Sequence, residues 1–221
     1  MDSIFFLCIL IISLLVIYIC NNYLKKEGLI VLFITSSAIA YILSFKYLSF
    51  QNISYNANSI IYVTMLTAIY LLLENNTKKE INKIVNLNFT LTIFAGIIVY
   101  IMSIYIQSLS DTIGINMINV FKNNYRILLA YPLSLFISQK ILIKIYEKIK
   151  NLYDNLFIST VTTYLAIDLI ELIIFISLSY YNIHSISDLI KLMLSTYMIR
   201  LIITLIYSLF LTIISKKKVK S

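Results

Sequence analysis

The sequence predicts an all-α fold, a polytopic integral membrane bundle of about seven transmembrane helices. Three observations carry that expectation. Of the 221 residues 60% are apolar and only 13% charged, where a soluble domain is nearer half and a quarter. The mean hydropathy is +0.90, and the apolar residues fall in runs close to the ~20 residues a helix needs to cross the hydrocarbon layer. With 3 glycines and 1 proline, turn chemistry is too sparse for a many-stranded β-protein.

In chain order the runs lie at about 3–20, 29–48, 58–73, 85–107, 127–146, 156–180 and 187–214. The first has the length of a signal peptide, but its leader carries Asp2 and no basic side chain, while Lys25 and Lys26 follow it. That reverses a secretory n-region, so a retained helix is expected. Cys8 and Cys20 in this run read as lipid- or core-facing small residues, not a disulfide or metal pair. The third run is short, and the seventh is long enough to tilt or protrude. Pro132 falls mid-run and should kink its helix, freeing a carbonyl to line a cavity. From Asp111 to Asn124 the apolar spacing is irregular, as in an interfacial amphipathic helix or a loop. No linker or repeat intervenes, so one transmembrane domain over 1–221 is expected, with an extra first helix at about 3–20 and a core at about 29–215.

A net charge of +8 can signal nucleic acid, but here the basic residues sit in short clusters between apolar runs. The partner they imply is an anionic lipid surface. Lys25 and Lys26, then Lys78, Lys79 and Lys83, then Lys140, Lys144, Lys148 and Lys150, then Lys216, Lys217, Lys218 and Lys220 place thirteen of the 18 basic residues on one side. The alternation with every crossing predicts a cell-membrane protein with its N-terminus outside and its C-terminus in the cytoplasm.

Ionisable residues inside the runs are few and therefore informative. Asp168 and Glu171 are three apart in the sixth run and share a helix face. Arg200 falls in the middle of the seventh. Each costs roughly 2.5–3.5 kcal/mol at the bilayer centre on insertion scales, so each should face an interior or a partner. Either Arg200 staples two helices by neutralising the acids, or the group lines a polar cavity for a solute or a proton. Two acids against one arginine leave an acid in excess, suited to a cationic or amide-rich ligand or to a protonatable site. Ser138, Gln139 and Arg126 in the fifth run add further polar groups. Gln139 offers both a donor and an acceptor for a nucleobase-like edge, or a hydrogen bond to a neighbouring helix. Tyr197 and Tyr164, beside the charges, are candidate stacking platforms. His184 reads as a solvated loop residue. There is no P-loop, HExxH or GxSxG motif, and a single histidine excludes a multi-histidine metal site. No enzyme, cofactor or metal is expected.

These segments together resemble the queuosine precursor transporters, also called the vitamin uptake transporter family, in the form with an extra first helix. The likeness runs from about Lys26 to Lys217. It takes in Lys26-Glu27-Gly28-Leu29, Ile39-Ala40-Tyr41 through Lys46, and Glu74-Asn75 with Lys78-Lys79-Glu80. It continues through Arg126-Ile127 to Ser138-Gln139, Tyr146, the stretch ending in Phe175, and Thr196-Tyr197-Met198-Ile199-Arg200. Tyr41, Tyr70, Leu142 and Tyr207 stand where the family has polar residues, and Asp168 and Glu171 where it has Gln and Asp. The resemblance implies import of a 7-deazaguanine precursor of queuosine. Glu171 would accept the base edge, Gln139 and Asp168 would orient it, Arg200 would be the counter-charge, and Ser138, Tyr197, Glu74 and Arg126 would complete the substrate-binding set. Two alternatives are a substrate-binding membrane subunit that works with separate energising subunits, and an accessory membrane protein whose buried charges only hold helices together. The implied partners are a small solute and the lipid bilayer, with no nucleic acid; a homo-oligomer is left open.

Overall fold

The computed structural model of the chain describes residues 2–50, 53–105, 116, 118–122 and 124–219. Among the described residues seven α-helices follow one another: α1 (Asp2–Ile19), α2 (Lys25–Leu43), α3 (Ser59–Asn75), α4 (Lys78–Ile104), α5 (Tyr125–Leu152), α6 (Leu156–Tyr180) and α7 (Ile186–Val219). Among the described residues five apolar helical runs are long enough to span a membrane, with Ile4–Leu43 counted as one; Ser59–Asn75 is a shorter apolar helix. The chain is thus a multi-pass membrane protein.

Two short π-helical turns also occur among the described residues, Cys20–Leu24 and Ile118–Lys122. The first divides the long run. Lys25 takes a φ of 49°, and the first turn of α2 folds back until a Cβ on Gly28 would lie 3.3 Å from Cys20 Cα. A straight helix would hold residues eight apart about 12 Å from each other. Only a residue without a side chain fits at position 28.

Helix ends differ from the sequence reading where local polar chemistry intervenes. The second span, expected to reach 48, stops at Leu43, because Tyr47–Phe50 forms β1, paired antiparallel with β2 (Ile53–Asn56). The fourth, expected from 85, begins at Lys78, where the Thr77 hydroxyl accepts from the Glu80 N–H at 3.4 Å and caps the helix. Lys140, Lys144, Lys148 and Lys150 lie on α5, which continues to Leu152, and not in a loop. Of the Asp111–Asn124 stretch, residues 111–115, 117 and 123 lie outside the described residues.

Helices α2 to α7 close into a ring: α2 packs on α3, α3 on α7, α7 on α6, α6 on α5, α5 on α4, and α4 on α2. Helix α1 lies outside the ring against α3. As a result α3 is enclosed on nearly every side, with Tyr62 through Tyr70 all buried. The outward faces of α1 and α4 carry Ile4, Phe5, Leu7, Leu87, Leu91 and Phe94, all exposed. Polar side chains, by contrast, are gathered inside. That inversion relative to a water-soluble protein is what a lipid solvent selects.

Pro132 shows how the interior is satisfied. Lacking an N–H, it leaves the Leu128 carbonyl one turn earlier without its helical donor. That carbonyl does not line a cavity: Tyr41 of α2 reaches across and donates to it at 2.8 Å. Gly96 of α4 makes the room, since a Cβ there would fall on the Tyr41 hydroxyl. Tyr41 also stacks on Tyr131, with ring centroids 5.8 Å apart. Both cysteines are free, Cys8 exposed and Cys20 buried.

Candidate functional site

The ring closes around an ion cluster contributed by α3, α5, α6 and α7. Asp168 and Glu171 project from one face of α6, and Arg200 meets both from α7. Its Nη1 lies 2.7 Å from Glu171 Oε2 and 3.2 Å from Asp168 Oδ1, and all three side chains are 0% exposed. The second guanidinium nitrogen donates to Asn58 Oδ1 at 3.1 Å. The guanidinium plane rests on the Tyr62 ring, 3.9 Å from its centroid, a cation–π contact that strengthens away from water. From α5, the Ser134 hydroxyl shares its one proton between the Tyr131 carbonyl of its own helix at 2.9 Å and Glu171 Oε1 at 3.2 Å.

Several buried atoms facing this cluster have no hydrogen-bond partner among the described residues: Asp168 Oδ2, Arg200 Nε and the Tyr62 hydroxyl, while the side chains of Asn58 and Tyr131 interact with each other. Buried polar groups are rarely left so. A set of donors and acceptors converging on one spot has the makings of a site for a polar solute.

The remaining candidates from the sequence are dispersed. Gln139 is buried one region toward the basic end, its amide nitrogen 3.4 Å from Met65 Sδ. Ser138 donates to the Leu135 carbonyl of its own helix. Tyr197 reaches the Leu165 carbonyl at 3.5 Å, so the ring under the guanidinium is Tyr62 and not Tyr197. Tyr164 packs edge-on to Tyr70 at 5.7 Å instead of stacking beside the ions. Glu74 stands at the basic end, where its Oε1 accepts from Tyr146 at 2.6 Å and from Lys150 at 2.8 Å. Arg126 ties the start of α5 to the end of α6 through the Tyr181 carbonyl at 2.7 Å. Neither Glu74 nor Arg126 touches the cluster. Asn58, Tyr62 and Ser134 do, and the sequence did not single them out: neutral residues in a chain with 18 tyrosines carry no warning of their own.

The β-hairpin covers the cluster from the other end. The Ser195 hydroxyl donates to the Ser54 carbonyl, the Asn56 N–H donates to Thr196 Oγ1 at 3.3 Å, and Tyr47 donates to the Tyr180 hydroxyl at 2.6 Å. Clefts of about 500 Å³ and about 620 Å³ flank the hairpin. Neither is lined by Asp168, Glu171 or Arg200, so the cluster is closed off from them. At the opposite end Tyr70, set edge-on to Tyr146 at 5.1 Å, and the Glu74–Tyr146–Lys150 contacts complete the enclosure.

Tyr41, Tyr70, Leu142 and Tyr207 are all packed into this interior. Tyr207 pairs with the Thr64 hydroxyl at 2.8 Å, Tyr41 and Tyr70 fill the spaces described above, and Leu142 is fully buried. Comparison with curated proteins and with solved structures finds no match. The family profile described as "Putative vitamin uptake transporter" matches residues 56–214, from the last residue of the hairpin through α7, a narrower stretch than the likeness from Lys26. That is more than two thirds of the sequence and five of the six ring helices, and the chain therefore belongs to the vitamin uptake transporter family.

Proposed function

We propose that the chain imports a small, flat, hydrogen-bonding solute of the 7-deazaguanine type, a precursor of queuosine, across the cell membrane. The observation that carries this reading is the set of donors and acceptors on Asp168, Arg200 and Tyr62 that have no partner among the described residues around a buried ion cluster. A purine-like base presents adjacent N–H groups that a carboxylate accepts in bidentate fashion, and a face that an aromatic ring can cover. In this reading Asp168, Glu171 and Arg200 hold the solute. Asn58, Tyr62 and Ser134 join them in place of the more distant Gln139 and Ser138. The hairpin faces outside and the basic end faces the cytoplasm, following the distribution of lysines.

Complementation tests it. The chain is expressed in a queuosine auxotroph lacking its own importer, with each deazaguanine base supplied singly at limiting concentration. Restored tRNA modification, lost again in Glu171→Ala, is the expected result; no modification with any base, despite confirmed insertion, refutes it. The direct Arg200 contacts to both acids favour one other reading, in which the cluster only joins α6 to α7. Uptake that survives neutralising all three residues would support that alternative.

A further inference from the structure

The charges inside the ring do not balance. One cation, Arg200, faces two carboxylates, and all three are fully enclosed. Nor are the two acids equivalent. Glu171 has Oε2 engaged by Arg200 at 2.7 Å, and Oε1 lies 3.2 Å from the Ser134 hydroxyl, whose one proton is shared with the Tyr131 carbonyl at 2.9 Å. Asp168 receives one longer contact, 3.2 Å from the same guanidinium nitrogen to Oδ1, and its Oδ2 is buried without a partner among the described residues.

Among the described residues, the other titratable groups facing the acids supply no second positive charge. Tyr62 of α3 faces both acids, Tyr197 of α7 faces Asp168, and Tyr131 of α5 and Tyr47 of β1 face Glu171. Each is a neutral phenol. An ionised carboxylate held away from water with no compensating charge is among the most costly arrangements in a protein, and gaining a proton removes the cost.

We propose that Asp168 is a proton-binding site and carries a proton on Oδ2 in this closed state. The proton comes from the aqueous phase, one O–H bond forms at Oδ2, and the cluster becomes an ionised Arg200–Glu171 pair beside a neutral acid. The site stands on the geometry alone. Its consequence for transport rests on the importer reading: a neutral solute crosses with the proton, and a cationic one displaces it.

The test needs no solute. The purified full chain is placed in ether-linked lipid, which has no ester carbonyl, and its infrared spectrum is recorded at neutral pH. A protonated carboxylic acid shows a carbonyl band well above the amide bands, shifting in heavy water. The expected result is such a band that moves when the protein is made with side-chain 13C-aspartate, stays put with 13C-glutamate, and disappears in Asp168→Asn. Isotope labelling keeps the test decisive if that variant does not fold. Absence of the band overturns the proposal, as does a band that follows the glutamate label. A sodium-dependent rise in thermal stability without the band would assign the compensating charge to a metal cation and also overturn it. Failed complementation, by contrast, would leave the infrared result untouched.

Discussion

Replacing Tyr41 by Phe removes the one donor that reaches the Leu128 carbonyl across the ring at 2.8 Å. The ring itself, stacked on Tyr131, remains. Pro132 cannot step in, so a buried acceptor is stranded. In water-soluble proteins that costs about 1–3 kcal/mol, while hydrogen bonds between membrane helices measure about 0.6 and at most about 1.7 kcal/mol. We therefore expect Tyr41→Phe to destabilise the fold by about 1 kcal/mol, a factor of about five in the unfolding equilibrium. Gly96→Ala should cost a similar amount, because its methyl group falls on the Tyr41 hydroxyl and outweighs the gain in helix propensity, at most about 1 kcal/mol. In the Tyr41→Phe background no hydroxyl remains to strike, so the same Gly96→Ala should become neutral or stabilising. Pro132→Ala restores an N–H to Leu128 and should roughly halve the cost of Tyr41→Phe. The assay is reversible unfolding in mixed micelles titrated with SDS, read as double-mutant cycles. Strict additivity of Tyr41→Phe with Gly96→Ala, or with Pro132→Ala, would mean that the hydroxyl, the glycine and the proline are not energetically coupled.

The ion cluster gives a second stability test: Arg200→Leu alone should lose about 3–5 kcal/mol, and the triple variant with Asp168→Asn and Glu171→Gln should recover most of it in the same titration. No recovery would mean that Arg200 acts through packing and not charge. Orientation is read by labelling single cysteines in an otherwise cysteine-less chain with an impermeant reagent on intact cells. A cysteine at Ile186 should react and one at Lys78 should not; the opposite pattern inverts the topology. Thr196→Val removes the acceptor of the Asn56 N–H, and hydrogen exchange at that amide should quicken by about fivefold, the equivalent of about 1 kcal/mol, with helical amides unchanged.

What the sequence revealed and what it hid divide along physical lines. Helices crossing a bilayer announce themselves by length and composition, so the seven runs map onto seven helices, and the sixth, 156–180, coincides with α6. Charges in lipid are rare and costly, which is why Asp168, Glu171 and Arg200 stood out from spacing alone and meet in space. Boundaries set by polar detail were harder. The Thr77-Lys78-Lys79-Glu80 cap was there to be read and moves the start of α4 by seven residues. The hairpin leaves only a four-residue alternation on each side, hidden against the apolar run before it. Asn58, at the very start of the third run, carries no charge to mark it until α7 brings Arg200 within 3.1 Å of it. Glu74 and Arg126, offered as substrate-binding residues by the resemblance and by position, each make a helix-to-helix contact away from the cluster.

The order of the cluster along the chain has a consequence for biosynthesis. Both acids lie on α6 and their guanidinium partner lies on α7, so a ribosome delivers Asp168 and Glu171 to the membrane before Arg200 exists. Chains are made and begin to organise from the N-terminus. The nascent protein thus inserts a helix bearing two acids with no counter-ion, which lipid favours in their protonated form. Arrival of α7 supplies the ion pair, drives one proton out, and closes the ring against α3 in the same step. Chains truncated before Arg200 would keep an open ring and an acidic helix, marking them for quality control.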